Sequence, residues 1–134
     1  MSGQYRVLIV DDEPAIVLAA RVALEQSGRF EVIFTCSSTE AVRIAETESP
    51  DLILLDIMMP GLDGFEVCTL LKEQAATKNI PVVMLTVRTD AISIERAFKA
   101  GAVNYVFKPF NAMVLAARLV ATLSKLQPEP AVPA

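Results

Sequence analysis

Five polar residues stand where apolar runs of this sequence end. Asp11 and Asp12 close Val7-Leu-Ile-Val10, Asp56 closes Leu52-Ile-Leu-Leu55, Thr86 closes Pro81-Val-Val-Met-Leu85, and Lys108 comes just after Val103–Val106. Three carboxylates gathered in one place repel each other unless a cation offsets them. An oxygen-only cluster suits a hard ion such as Mg²⁺, which binds through few protein ligands and keeps some of its water. A carboxylate beside such an ion is suited to attack a phosphoryl group. A threonine hydroxyl can donate to a phosphoryl oxygen, and a lysine ammonium can pair with the carboxylate or with the phosphoryl group. Taken singly these residues have ordinary roles: Asp12 and Asp63 are plausible helix N-caps, and Lys108 a plausible surface charge. The chemistry rests on their joint placement.

Composition limits the alternatives. The sequence has 134 residues, enough for about one domain, with 53% hydrophobic and 21% charged residues, which suits a folded core. It contains no histidine, which excludes histidine triads, histidine metal sites and a phosphohistidine of its own. Sixteen acids against 12 bases give a net charge of -4, a poor balance for wrapping nucleic acid or adhering to an anionic membrane. Cys36 and Cys68 have neither metal nor redox spacing, and no signal-peptide pattern precedes them, so reduced thiols and a cytoplasmic location are expected. No apolar run approaches the ~20 residues that span a bilayer.

The elements that must position the five residues follow from the alternation of apolar runs with helical patterns. Pro14 suits the first turn of a helix ending near Gln26, and Ser27-Gly28 stops it. Glu31–Phe34 reads as a strand, and the hydroxyls of Ser37, Ser38 and Thr39 are placed to cap a helix over Glu40–Glu46. Met59-Pro60-Gly61-Leu62-Asp63-Gly64 reads as a loop before a helix carrying Phe65, Val67, Cys68, Leu70 and Leu71. A further helix covers Ala91–Ala100 before Gly101, and a last one about Ala112–Lys125, with Leu115, Leu119 and Leu123 on one stripe. Strands separated by helix-length connections predict a parallel sheet covered on both faces, a three-layer α/β domain. Right-handed crossovers then put all strand C-termini on one rim, where such folds bind ligands. The last eight residues, from Gln127, hold three prolines and read as a frayed end or the start of a linker.

These motifs together resemble the receiver domain of two-component response regulators. The resemblance is carried by Val7-Leu-Ile-Val-Asp-Asp-Glu-Pro14, Leu54-Leu-Asp-Ile-Met-Met-Pro-Gly-Leu-Asp-Gly64, Pro81-Val-Val-Met-Leu-Thr86, Gly101-Ala102 and Lys108-Pro-Phe110, and covers roughly residues 5–125. It implies a flavodoxin-like, doubly wound three-layer sandwich whose five-stranded parallel sheet has the order 2-1-3-4-5. It divides the chain into a phosphoacceptor domain, 1–125, and a Pro-rich tail, 126–134. Asp56 would accept a phosphoryl group from a histidine kinase or a histidine phosphotransfer protein. Mg²⁺ would be held by Asp11 or a water on it, Asp12, Asp56 and the backbone carbonyl of Met58. Thr86 and Lys108 would complete the catalytic group, and the Lys108–Pro109 bond would be cis. Such a domain would assist its own phosphotransfer and dephosphorylate itself slowly, without being a conventional enzyme.

The resemblance also implies a switch, in which Thr86 moves towards phosphorylated Asp56 and Tyr105 turns inward, altering the face formed by the fourth helix, fifth strand and fifth helix. That face would contact an output domain or a second copy, with no direct nucleic-acid binding. Several residues depart from the common pattern. Val87 adds bulk after Thr86, while Met58 and Arg88 stand where groups that orient hydrolytic water are frequent, which predicts slow dephosphorylation. Val103-Asn104 replaces an acidic pair used in charged dimer contacts. Met113, Val114 and Val120 put apolar side chains at positions frequently charged and exposed, which predicts a protein-binding surface. Two alternatives share the acidic rim: a haloacid-dehalogenase-like phosphatase, whose aspartate spacing Asp11-Asp12 does not provide, and a receiver-like scaffold that binds partners without phosphorylation.

Overall fold

Successive strand residues point to opposite faces of a sheet, so a strand covered on both faces must be apolar throughout. Val7–Val10, Leu52–Leu55 and Val82–Leu85 meet that requirement, whereas the two edge runs carry Glu31 and Asn104. The computed structural model describes residues 4–126. Its elements are β1 (Tyr5–Val10), α1 (Pro14–Gln26), β2 (Phe30–Thr35), a 3₁₀ turn (Ser38–Glu40), α2 (Ala41–Glu48), β3 (Leu52–Leu55), α3 (Gly64–Glu73), β4 (Val82–Thr86), α4 (Ala91–Ala100), β5 (Asn104–Phe107) and α5 (Ala112–Leu126). The five strands pair in parallel in the order β2-β1-β3-β4-β5, so the fold is the flavodoxin-like three-layer sandwich. No helix among the described residues is long and apolar enough to cross a membrane.

Each face of the sheet has its own core. Leu8, Val10, Ile53, Leu55, Val82, Met84 and Tyr105 pack with Ala41, Ala45, Phe65, Val67, Cys68, Leu71 and Ala97, which come from α2, α3 and α4. The alternate residues Val7, Ile9, Leu52, Leu54, Val83, Leu85 and Val106 pack against α1 and α5. The stripe Leu115, Leu119 and Leu123 is fully buried in this second core. Pairing puts Val10 opposite Leu55, Leu55 opposite Met84, and Thr86 opposite Phe107. The strands therefore end together, and the ladder continues past them through Asp56 N–H on Val10 O (2.9 Å) and Lys108 N–H on Thr86 O (2.9 Å).

Two cap assignments differ from the sequence expectation. Residue 13, not Asp12, is the N-cap of α1, because Pro14 begins the helix and its predecessor is held extended. Ser37 makes no side-chain cap bond, and a 3₁₀ turn precedes α2. Ser38 instead ties that turn to the loop after β3, donating to Pro60 O (2.9 Å) and accepting from Leu62 N–H (3.0 Å). Asp63 does cap α3, in a reciprocal box with Glu66. The Lys108–Pro109 bond is cis. Cys36 is exposed, Cys68 buried, and both are free thiols. The Pro-rich run from Gln127 lies outside the described residues.

Gly64 fixes the distance between α3 and the strand end that carries Asp56. A Cβ there would lie 2.3 Å from the Asp56 carbonyl oxygen and 2.6 Å from Ile57 Cα, both backbone atoms that cannot swing aside. Its N–H donates to Ile57 O at 2.7 Å. Gly64→Ala should therefore destabilise the protein by about 2–3 kcal/mol in urea unfolding, as overpacking at a rigid contact does. Asp63→Ala, which removes only a cap, should cost about 1 kcal/mol. Equal costs for the two would contradict the close-contact account.

Candidate functional site

The common rim of β1, β3, β4 and β5 gathers the five polar residues. Asp11 continues β1 and is fully buried, Asp56 continues β3 and is nearly so, and Asp12 is half-buried beside them. One carboxylate oxygen from each of the three lies within 4.8 Å of the others. Lys108, only 7% exposed at its side chain, sends Nζ to 2.7 Å from Asp11 Oδ2 and 3.5 Å from Asp56 Oδ2. Thr86 ends β4 and is fully buried.

Backbone donors hold the two inner carboxylates. Asp11 Oδ1 accepts from Glu13 N–H at 3.0 Å, and Asp56 Oδ1 accepts from Met58 N–H at 3.4 Å. Asp11 Oδ2 is buried with no hydrogen bond made to it, the ammonium 2.7 Å away being its ion-pair partner. Burial, then the Asp11 charge, push the Asp56 carboxyl up to about 6, against the opposing pull of Lys108. Burial works against the Lys108 ammonium, but Asp11 and Asp56 overcome it and hold its pKa above the usual lysine value.

The donor set fits a hard divalent cation. All three side chains offer oxygen, the single lysine leaves the cluster with excess negative charge, and Asp11 Oδ2 retains unused acceptor capacity. Asp11, Asp12 and Asp56 form a plausible Mg²⁺-type site. Met58 is 53% exposed, and its thioether is a soft donor that a hard cation does not favour.

Thr86 and Tyr105 are linked through one residue between them in space. Arg88 donates its N–H to Thr86 Oγ1 at 3.2 Å, while its carbonyl accepts from the Tyr105 hydroxyl at 2.5 Å. Tyr105 is buried and its ring lies 5.1 Å from that of Phe107. The Arg88 guanidinium pairs with Asp90, the cap of α4, at 3.3 Å. This bridge is invisible in the sequence, since nothing in residue type marks a backbone carbonyl as a tyrosine partner.

One residue joins the site, and others support β5 behind it, without a sequence signal. Glu13 Oε1 lies 3.4 Å from Lys108 Nζ. Arg118 donates to the Tyr105 carbonyl at 3.1 Å, and Asn104 donates to Thr122 Oγ1 at 3.0 Å, fastening β5 to α5. Of the apolar residues on α5, Met113 is 82% exposed and Val114 is exposed, but Val120 is half-buried against the core. The three do not form one exposed patch. Met113 and Val120 line a groove of about 640 Å³ between α1 and α5 with Ala23, Ala116 and Ala117, and Val114 lies outside it. Their separation follows from helical geometry, since positions seven apart share a face and adjacent positions do not.

Comparison with known proteins converges on one family. Residues 7–120 match the family model described as the response regulator receiver domain. The chain is 36% identical over 128 residues, 96% of its length, to the DNA-binding response regulator MtrA of Mycolicibacterium smegmatis, and covers 54% of that protein. It is 41% identical over 120 residues, 90% of its length, to the alkaline phosphatase synthesis transcriptional regulatory protein PhoP of Bacillus subtilis, covering 49% of it. The chain thus spans about half the length of the curated relatives it matches. Among solved structures, the signal receiver domain of a signal transduction histidine kinase from Syntrophus aciditrophicus superposes with a TM-score of 0.82 at 32% identity, over 97% of this chain and 98% of that one.

The raised Asp56 pKa has a testable sign. Its folded value, about 6, lies above the ordinary 3.8, so the folded state holds the proton more tightly. Stability from this group is then full below pH ~4 and is lost as pH rises through ~6. Without divalent cations, Asp56→Asn should stabilise the protein by about 1–2 kcal/mol at pH 8, the full shift being discounted for solvent at the rim. The gain should vanish near pH 4. A pH-independent gain in denaturant unfolding would contradict the assignment.

Proposed function

The chain belongs to the response regulator receiver domain family, and from that membership we propose that Asp56 is its phosphoacceptor, supplied by a phosphohistidine on a histidine kinase or histidine phosphotransfer protein. The observation that carries the reading is the convergence of Asp11, Asp12 and Asp56 on Lys108 at one rim of the sheet. These 134 residues hold no histidine, so a phosphohistidine donor would lie outside them.

In the transfer, an Asp56 carboxylate oxygen attacks phosphorus, the phosphorus–nitrogen bond of the donor breaks, and the electron pair leaves with the imidazole, which ends protonated. The product is an acyl phosphate. Asp11, Asp12, Asp56 and the Met58 carbonyl would hold Mg²⁺, which when bound offsets the charge of carboxylates and phosphoryl oxygens. Lys108 is placed to pair with the phosphoryl group, and the rigid strand ends hold the acceptor in line for it. Burial and Asp11 raise the free energy of the bare Asp56 carboxylate, so an arriving cation is favoured there.

Phosphorylation would then draw the Thr86 hydroxyl towards the new oxygens. That motion loosens the Arg88 N–H bond and, through the Arg88 carbonyl, acts on Tyr105. The face formed by α4, β5 and α5 thereby shifts between two packings and becomes the surface that an output unit or a second copy reads. Exposed Met58 offers no group to orient water, Val87 adds bulk after Thr86, and the Arg88 guanidinium is paired with Asp90, which together favour a long-lived acyl phosphate.

Incubation with Mg²⁺ and a small phosphodonor such as acetyl phosphate should add one phosphoryl group by intact mass, and Asp56→Asn should abolish the addition. Thr86→Ala and Tyr105→Phe should still be phosphorylated but lose the amide shifts at α4, β5 and α5 that accompany it. After donor removal the modification should persist for minutes or longer. A folded protein that stays unmodified would favour the phosphorylation-independent scaffold, and a lifetime of seconds would contradict the hydrolysis account.

A further inference from the structure

Lys108 is shared among more acids than phosphotransfer requires. Its Nζ lies 2.7 Å from Asp11 Oδ2, 3.5 Å from Asp56 Oδ2 and 3.4 Å from Glu13 Oε1, and the contact to Glu13 has hydrogen-bonding geometry. The three acids differ in setting. Asp11 and Asp56 are buried, whereas the Glu13 side chain is 62% exposed and reaches in from solvent. Glu13 lies outside the cluster of Asp11, Asp12 and Asp56 that meets metal-binding spacing among the described residues.

The main chain of Glu13 is fixed while its side chain is not. Its N–H donates to Asp11 Oδ1 at 3.0 Å, and its carbonyl accepts from Ile16 and Val17 at the start of α1. As the N-cap it faces unpaired helix donors and the positive end of the helix dipole, which attract a carboxylate. Its side chain nevertheless makes no cap bond, and the first turn of α1 carries no other acid. The carboxylate goes to Lys108 instead.

We propose that Glu13 is a positioning residue that holds the Lys108 ammonium partly away from Asp56 in the unphosphorylated protein and gives it up when the acceptor gains its phosphoryl group. The proposal rests on Asp56 being the acceptor and adds a restraint on how readily the phosphorylated state forms. Lysine has three donors on a flexible stem, so it redirects without moving the backbone. A phosphoryl group on Asp56 brings new anionic oxygens within its range, and the exposed Glu13 bond is the weakest contact to surrender.

The test compares wild type, Glu13→Gln, which removes the charge, and Glu13→Asp, which keeps the charge but shortens the reach. Beryllofluoride, a mimic of the acyl phosphate, is titrated at saturating Mg²⁺ and followed by amide NMR at Thr86. Mg²⁺ alone is titrated separately. Both variants should bind beryllofluoride about two- to fivefold more tightly, as expected for losing one partly exposed competing pair, with Mg²⁺ affinity unchanged in Glu13→Asp and lowered no more than about threefold in Glu13→Gln, the effect of one solvated charge nearby. Unchanged beryllofluoride affinity in both would overturn the proposal, as would tightening in Glu13→Gln alone, which would indicate local charge and not contact. A large loss of Mg²⁺ affinity would place Glu13 in the metal site and equally overturn it. Failure of the wild type to bind beryllofluoride would instead bring down the acceptor reading itself.

Discussion

Like-charge repulsion among carboxylates is the constraint from which the rest of this molecule follows. Asp11 and Asp56 are buried, with Asp12 beside them and one lysine to offset the cluster. Such an arrangement is unfavourable in isolation, and burial first, then the Asp11 charge, raise the pKa of Asp56. It persists because the strand ends, held in register by the hydrogen-bond ladder, leave the acids no freedom to separate. The stored repulsion makes the rim receptive to a cation and to a charge-bearing group that brings one.

The packing around the rim serves the same purpose. Two apolar cores, one on each face, make the sheet a rigid plate, so the ends of β1, β3, β4 and β5 form one fixed edge. Gly64 presses α3 against the Asp56 backbone, and the Asp63–Glu66 box stops the helix there. Two sets of contacts surround this fixed edge: Lys108 among its acids, and the Thr86–Arg88–Tyr105 connection that leads away from the site. A preorganised acceptor held by rigid strand ends is what precise placement of a reacting carboxylate needs.

Much of this was legible in the residue pattern. Continuous apolar runs ending in Asp, Asp and Thr revealed a doubly covered parallel sheet and its functional rim, because burial on both faces demands apolar residues at consecutive positions. Contacts that depend on backbone atoms were not legible: the Arg88 carbonyl under Tyr105, Pro60 and Leu62 on Ser38, and the Tyr105 carbonyl under Arg118. Glu13 was hidden differently, since it sits in the acidic motif but finds its partner 95 residues away. Asp12 was weighed as a cap because residue type favours it, whereas Pro14 sets the helix start one residue later. The half-burial of Val120 depends on the core beneath α5 and on the groove beside α1, neither of which position along α5 reveals.

The central claim, that the acid cluster is a cation-assisted phosphoacceptor, is tested most directly by trapping the acyl phosphate. The protein is phosphorylated with a phosphohistidine donor in Mg²⁺ or in EDTA, reduced with borohydride, and peptide-mapped for the homoserine that reduction of an aspartyl phosphate leaves. Homoserine at position 56 alone, formed in Mg²⁺ and absent in EDTA, is the predicted result. Homoserine at another position, or equal yield without the cation, would contradict the account.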